Sequence, residues 1–260
     1  LVGLAGSIAI LVRQGVLSVE AVTSAFSWVY LIVVIAFFTW LFMAGQWTKE
    51  ERKRLIVIVV LFAGAAVFWS AFEQAASTLN LFAAQNTRNS IFGWTFPSSW
   101  FQSVNALMII IFAPVFAWIW ISLGKRDPSS PAKFAFGLVS VGLGFVVMVG
   151  AAQASANGVL VSPMWLVLTY LLHTIGELSL SPVGLSSMTK LAPDRVKGMM
   201  MGVWFLAASV GNLIAGGVLR FYADFTLPQV FGAVAAFAII AGVVMFALVL
   251  PIKRMMARTD

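Results

Sequence analysis

The sequence predicts an all-α protein that crosses a membrane many times. Three observations lead there. Of the 260 residues, 61% are hydrophobic and only 10% are charged, whereas a soluble domain carries about 25% charged residues. The mean hydropathy is +0.99. The apolar residues fall in long runs, and a helix needs about twenty such residues to cross a bilayer.

Read in order, the runs predict spans at 1–17, 22–47, 55–84, 98–123, 132–155, 161–190, 198–220 and 227–252. The first is short. Turn-rich stretches punctuate them: Gly124 to Pro131, Ala156-Asn157-Gly158 and Ala192-Pro193-Asp194. Residue 1 is Leu in an already apolar run, with no charged leader and no A-x-A cleavage site. The chain is therefore expected to be part of something longer.

Loop charge tests the span count. Alternate loops fall on opposite sides, and the positive residues divide sharply between them. One side holds Lys49, Arg52, Lys53, Arg54, Lys125, Arg126, Lys133, Lys190, Arg195, Lys197, Lys253, Arg254 and Arg258; the other holds Arg13, Arg88 and Arg220. A miscounted span would have scrambled this split. The crowded side is expected to be cytoplasmic. The net charge of +7 thus reads as a topology signal, and no nucleic-acid partner is implied.

Prolines and small residues refine the picture. Pro182 cannot donate to the helix ladder and its ring crowds the preceding turn, so the span at 161–190 is expected to break there, beside Glu177. Broken helices are a common way to build a site at mid-depth. Pro114 is expected to kink its span at most. Gly198 and Gly202 form a G-x-x-x-G that Ala207, Gly211 and Ala215 continue. This spacing lets helix backbones approach closely.

The residues that carry chemistry are two acids inside these spans. An ionised side chain near the bilayer centre costs about 2.5–3.5 kcal/mol on insertion scales, so it should face protein or water and is a functional candidate by default. Glu73 lies in Phe68-Trp69-Ser70-Ala71-Phe72-Glu73-Gln74, ~16 Å from the end of its span at 1.5 Å per residue. Such a group can alternate between a protonated state and a pair with a cation. Every span here lacks a basic residue in its central part, so a cationic partner would come from another chain segment. Glu177 lies mid-span in Gly176-Glu177-Leu178-Ser179-Leu180-Ser181-Pro182, where a carboxylate facing water suits a cation such as an ammonium group. Ser181 at i+4 and His173 at i−4 share its helix face. A His–Glu proton relay is one use of His173; a bond to a neighbouring helix is the commoner one. Asn105, early in the span at 98–123, can donate to or accept from a peptide-like group. Trp69 sits one turn before Glu73, and Trp204 sits in a later span. Trp28, Trp47, Trp94, Trp100 and Trp165, near span ends, read as interface anchors.

The two acid-bearing segments, the first extended by Ser77-Thr78-Leu79-Asn80-Leu81-Phe82-Ala83 and the second by Val183-Gly184-Leu185-Ser186, resemble the seventh and tenth helices of the proton-dependent oligopeptide transporters (POT/PTR) of the major facilitator superfamily. Asn105 falls where that family has an eighth-helix Asn, and Trp204 where it has an eleventh-helix Trp. The resemblance covers the whole chain but only the second half of a transporter. It implies an accessory hairpin at 1–47 between the two bundles, a basic cytoplasmic linker at 48–54, a C-terminal six-helix bundle at 55–254 and a cytoplasmic tail at 255–260.

What the resemblance further implies is symport of di- and tripeptides with protons across a bacterial inner membrane by a multi-pass protein. Glu73 would serve proton coupling and an external gate. Glu177 and Asn105 would receive the peptide's amino end, with Ser181 nearby. Trp69 and Trp204 would line side-chain pockets. Basic residues of a missing N-terminal six-helix bundle would take the peptide carboxylate, since the E-x-x-E-R signature is absent from this sequence. Two other readings stay open: half of a transporter for another small solute, and a scaffold subunit whose acids glue helices together. The absence of cysteine and the single histidine argue against a metal centre. No nucleotide-binding or zincin motif is present, so no cofactor and no enzyme activity are expected.

Overall fold

The computed structural model describes residues 6, 7, 11, 13–15, 18–222 and 224–256. Among these, seven helical spans are long and apolar enough to cross a membrane. The expected segment at 1–17 lies largely outside the described residues, as does the end of the expected tail, 257–260. The chain divides into two compact units, Leu1–Trp47 and Thr48–Asp260.

In the first unit, α1 (Val19–Ala44) starts at Ser18, whose hydroxyl accepts the Ala21 N–H at 3.0 Å. This satisfies one of the four amides that a helix start leaves unpaired. Trp28, Ile32, Ile35, Trp40 and Met43 are exposed along it.

The second unit is a helical bundle. Its first helix, α2 (Lys49–Phe72), opens with a capping box. Thr48 Oγ accepts the Glu51 N–H, and the Glu51 carboxylate accepts the Thr48 N–H at 2.8 Å. After a 3₁₀ turn (Glu73–Ala76) the same span continues as α3 (Thr78–Asn86). Then come a short antiparallel hairpin, β1 (Ser90–Ile91) and β2 (Trp94–Thr95), followed by α4 (Phe101–Leu123), α5 (Ser130–Ala154), α6 (Met164–Leu191), α7 (Met200–Arg220) and α8 (Leu227–Met256). On the hairpin side, Val161 ties the α5–α6 loop to the end of α3: its N–H donates to Asn86 O and its carbonyl accepts the Arg88 N–H, both at 2.9 Å.

Inside lipid no hydrophobic force separates helix from tail, so packing decides which faces meet. Small residues allow the close approaches. A side chain built on Gly176 would put its Cβ 2.8 Å from Gly137 O, and one on Gly137 would come 2.9 Å from Gly176 O, which pins α5 to α6. At the α5–α8 contact, Gly142 faces Ala235 and Ile239 of α8, and Gly242 faces Ala135 and Val139 of α5. Gly211 on α7 faces Trp69 Cβ and the backbone of α2. Around these contacts Phe68, Phe82, Phe134, Phe145 and Phe231 are fully buried.

Two expectations about local structure are corrected. The span containing Pro182 does not break: α6 runs without interruption from Met164 to Leu191. The break occurs instead at Glu73–Ser77, where there is no proline, with Ser77 at φ −120°, ψ −97°. The G-x-x-x-G of Gly198 and Gly202 is not a helix contact among the described residues, because nothing lies within 4 Å of where their side chains would be. The continuation at Ala207, Gly211 and Ala215 is buried. Pro114 likewise sits inside the unbroken helix α4.

Candidate functional site

Glu73 is the residue on which α2 ends. The chain leaves the α-helix here because Gln74 offers the broken ladder new partners. Fully buried, its amide donates to Ser70 O at 3.2 Å and to Ala215 O on α7 at 3.4 Å. Its carbonyl accepts the hydroxyls of Ser77 at 3.1 Å and Thr78 at 2.9 Å. Polar backbone freed at membrane depth must find protein or water, and this one side chain bridges both sides of the break. Glu73 itself lines the cavity between α2, α4 and α6.

Glu177 sits mid-way along α6 and is half-buried. Asn105 on α4 donates to its Oε2 at 3.2 Å and to Thr174 Oγ1 at 3.0 Å. Thr174 passes the chain on to Tyr170 O at 2.8 Å. The amide is thereby held in one orientation, with its NH₂ group aimed at the acid.

A cavity of about 170 Å³ opens between these elements, lined by Phe72, Glu73, Gln102, Asn105, Tyr170 and His173. Glu177 is not on its wall but reaches it through Asn105. Glu73 and Asn105 share this cavity's wall, and Asn105 bonds Glu177. The structure therefore brings Glu73, Asn105 and Glu177 to one place from three different spans.

The other candidates lie around this centre. Ser181 is one turn beyond Glu177, its hydroxyl enclosed and without a partner among the described residues. Trp69 stacks edge-on against Phe68 and Phe72, with ring centroids 5.6 and 5.2 Å away, and its indole N–H is enclosed without a partner. Trp204 is buried against Gly184 and the Phe134 ring. His173 does not form the relay weighed from sequence. Its ring is fully buried beside Phe145, Phe72 and Tyr170, with centroids 5.2, 6.1 and 6.3 Å away. Both ring nitrogens are enclosed without a hydrogen-bond partner among the described residues, so no direct bond joins the ring to Glu177.

Two contributors escaped the sequence reading: Gln74 and Thr174. Each is a neutral polar residue inside a span, a weaker signal than a charge, but each lies within four residues of a residue already singled out.

The POT family profile (PTR2) matches residues 5–240. The chain belongs to the POT family. It is 44% identical over 259 residues to peptide transporter YePEPT of Yersinia enterocolitica subsp. palearctica serotype O:3 (strain YE-P4), covering 96% of this chain and 51% of that protein. It is 33% identical over 230 residues to a di-/tripeptide transporter of Lactococcus lactis subsp. cremoris, covering 87% and 46% respectively. Among solved structures, it is similar to a peptide transporter POT in complex with sulfate, with a TM-score of 0.90 and 39% identity over 98% of this chain and 51% of that one. This POT chain therefore spans about half the length of the curated relatives it matches. It has the all-α, multi-pass membrane architecture that the sequence predicts, and it aligns with a transporter family rather than an enzyme class.

Proposed function

We propose that this chain is the C-terminal half of a proton-coupled symporter of di- and tripeptides in a bacterial inner membrane. The observation that carries the reading is the contact of Asn105 with Glu177, with Glu73 on the wall of the same cavity as Asn105. A small peptide offers two constant features, an ammonium end and a carboxylate end. An acid fixed by an amide donor suits the ammonium. Ser181 and the pockets beside Trp69 and Trp204 would tolerate varied side chains. The bases for the carboxylate would come from an N-terminal six-helix bundle beyond this chain, and closure of the two bundles around the zwitterion would couple binding to rocking. The names of the relatives, peptide transporter and di-/tripeptide transporter, support peptides over another solute. A helix broken at Glu73 beside a cavity argues against a purely structural scaffold.

In this reading Glu73, at the hinge between α2 and α3, takes up and releases the proton and gates the external side. Residues 1–47 form the accessory hairpin, 48–54 the basic linker, 55–254 the bundle and 255–260 the tail, with the lysine-rich ends cytoplasmic. The protein works without cofactor or metal and catalyses no covalent step. The test is Glu73→Gln in the full-length protein reconstituted in vesicles. Uptake of a dialanine-type substrate driven by a pH gradient is expected to vanish, while counter-exchange at equal pH persists. Uphill, pH-driven uptake by the variant would exclude the assigned role.

A further inference from the structure

A polar cavity of the bundle lies away from the peptide site, at its lysine-rich end. It measures about 830 Å³. Lys190 near the end of α6, Lys197 in the turn before α7 and Lys253 near the end of α8 line it, together with Ser130, Ser186 and Ser187. Three features distinguish it from a merely charged surface. First, no carboxylate lines it. The ion pairs of this bundle among the described residues join Lys53 to Glu50, Lys133 to Asp127 and Arg195 to Glu51, and none involves these three lysines. Second, α5 begins here, and Ser129 makes no side-chain cap. The Ala132 and Lys133 amides turn back to Ser129 O at 2.9 and 3.0 Å, so only the weak partial positive charge of the helix start adds to the lysines. Third, its walls also carry hydroxyls and apolar groups. Ser187 donates to Ser130 Oγ at 2.8 Å, while Val183, Leu191 and Met256 supply apolar surface.

The positive-inside rule explains why lysines lie on this side of the membrane. It does not explain why three from separate segments converge on one cavity. Nor is the cavity the mouth of the peptide site. Lys190 is thirteen residues beyond Glu177 on the same helix, which at 100° per residue places it roughly 220° round the helix.

We infer that this cavity binds the phosphate of an anionic phospholipid headgroup from the cytoplasmic leaflet. Ammonium groups act as point charges on phosphate. Basic pockets between transmembrane helices on the cytoplasmic side are a recurrent way of holding such headgroups. The mixed wall fits a ligand that is anionic at one end and apolar at the other better than it fits a free anion. The inference needs the membrane orientation proposed above but not peptide transport.

The experiment uses the purified full-length protein in a neutral detergent. Binding of short-chain phosphatidylglycerol is compared with phosphatidylcholine of the same chain length. The Lys190→Gln/Lys197→Gln/Lys253→Gln variant is set against Lys49→Gln/Lys53→Gln/Lys125→Gln, which removes the same charge from the same end elsewhere. A basic residue near the surface contributes about fivefold in affinity, so the first triple is expected to weaken phosphatidylglycerol binding of order a hundredfold and the second far less. Phosphatidylcholine binding should change in neither. Equal losses in both triples would overturn the site, since surface charge alone would then suffice. Displacement of the lipid by millimolar inorganic phosphate would overturn the lipid assignment in favour of a free anion. If the triple fails to elute as a folded species, Lys190→Gln and Lys253→Gln alone should each show the fivefold loss, and no loss in either would refute the inference.

Discussion

Replacing Gln74 by Leu tests the account of the helix break. The two side chains are close in volume, so the change removes polarity without opening a large cavity. Four hydrogen bonds disappear: two donated to Ser70 O and Ala215 O, and two accepted from Ser77 and Thr78. Neutral bonds contribute about 1 kcal/mol each net, and a buried partner left unpaired costs about 1–3 kcal/mol. The bonds to Ser70 and Ala215 are long and count for less, and the Ser77 hydroxyl is only half-buried and can turn to water. The expected loss is therefore about 2–4 kcal/mol, or of order 5–10 °C in the unfolding midpoint of a bundle this size. The readout is thermal unfolding of the full-length protein followed by tryptophan fluorescence. The double variant Gln74→Leu/Thr78→Val removes the stranded hydroxyl as well and should recover about 1 kcal/mol of the loss. A single variant unfolding within about 1 °C of the parent, or a double variant no better than the single, would refute the claim that this amide holds the break.

Two further outcomes follow from the packing. Phe92 at the hairpin tip has φ 50° and is followed by Gly93 at φ 81°, a two-residue turn that favours Asn-Gly. Its side chain is fully exposed, so Phe92→Asn should relieve about 1 kcal/mol of left-handed strain and slow amide exchange at Ile91 and Trp94 about fivefold; unchanged or faster exchange would mean that the ring is held by something outside the chain. Gly176→Ala must push α5 from α6 and is expected to cost about 1–3 kcal/mol, whereas Gly232→Ala, which meets only an ordinary contact at 3.9 Å, should be silent; equal midpoints for the two variants would contradict the reciprocal glycine contact.

How much of this was legible in the sequence differs between fold and site. The spans were legible because a bilayer enforces length and apolarity on every crossing, and the described helices fall within a few residues of the runs. Acids at 73 and 177 and the amide at 105 were legible as outliers against that background. What joins them was not. Asn105 and Glu177 are seventy-two residues apart, and nothing local says that their spans adjoin. Thr174 and Gln74 were passed over because a neutral polar residue in a membrane helix most often bonds its own backbone. Thr174 does this through Tyr170 O and accepts from Asn105 as well. The G-x-x-x-G at 198 misled because small spacing permits close approach without supplying a partner.

The misplaced break is the most instructive difference. Proline removes one ladder bond, but a helix tolerates that loss if the position does not have to pack. Pro182 is exposed and lines the open cavity at the lysine-rich end, where irregular polar backbone is tolerated at membrane depth. At Glu73 the reverse holds. The residues there can all continue a helix, yet the ladder stops because Gln74, Ser77 and Thr78 offer the backbone and one another a complete alternative set of bonds. A break made by side-chain hydrogen bonds differs from one made by proline in being reversible: its partners can be exchanged without isomerising the chain. If Glu73 is to change its protonation state and move, a hinge of this kind, tied across to Ala215 on α7 by a single 3.4 Å bond, is mechanically suited to it. If Glu177 is to receive a peptide's amino end as proposed, the unbroken α6 beneath it is suited to the opposite task of holding that acid still.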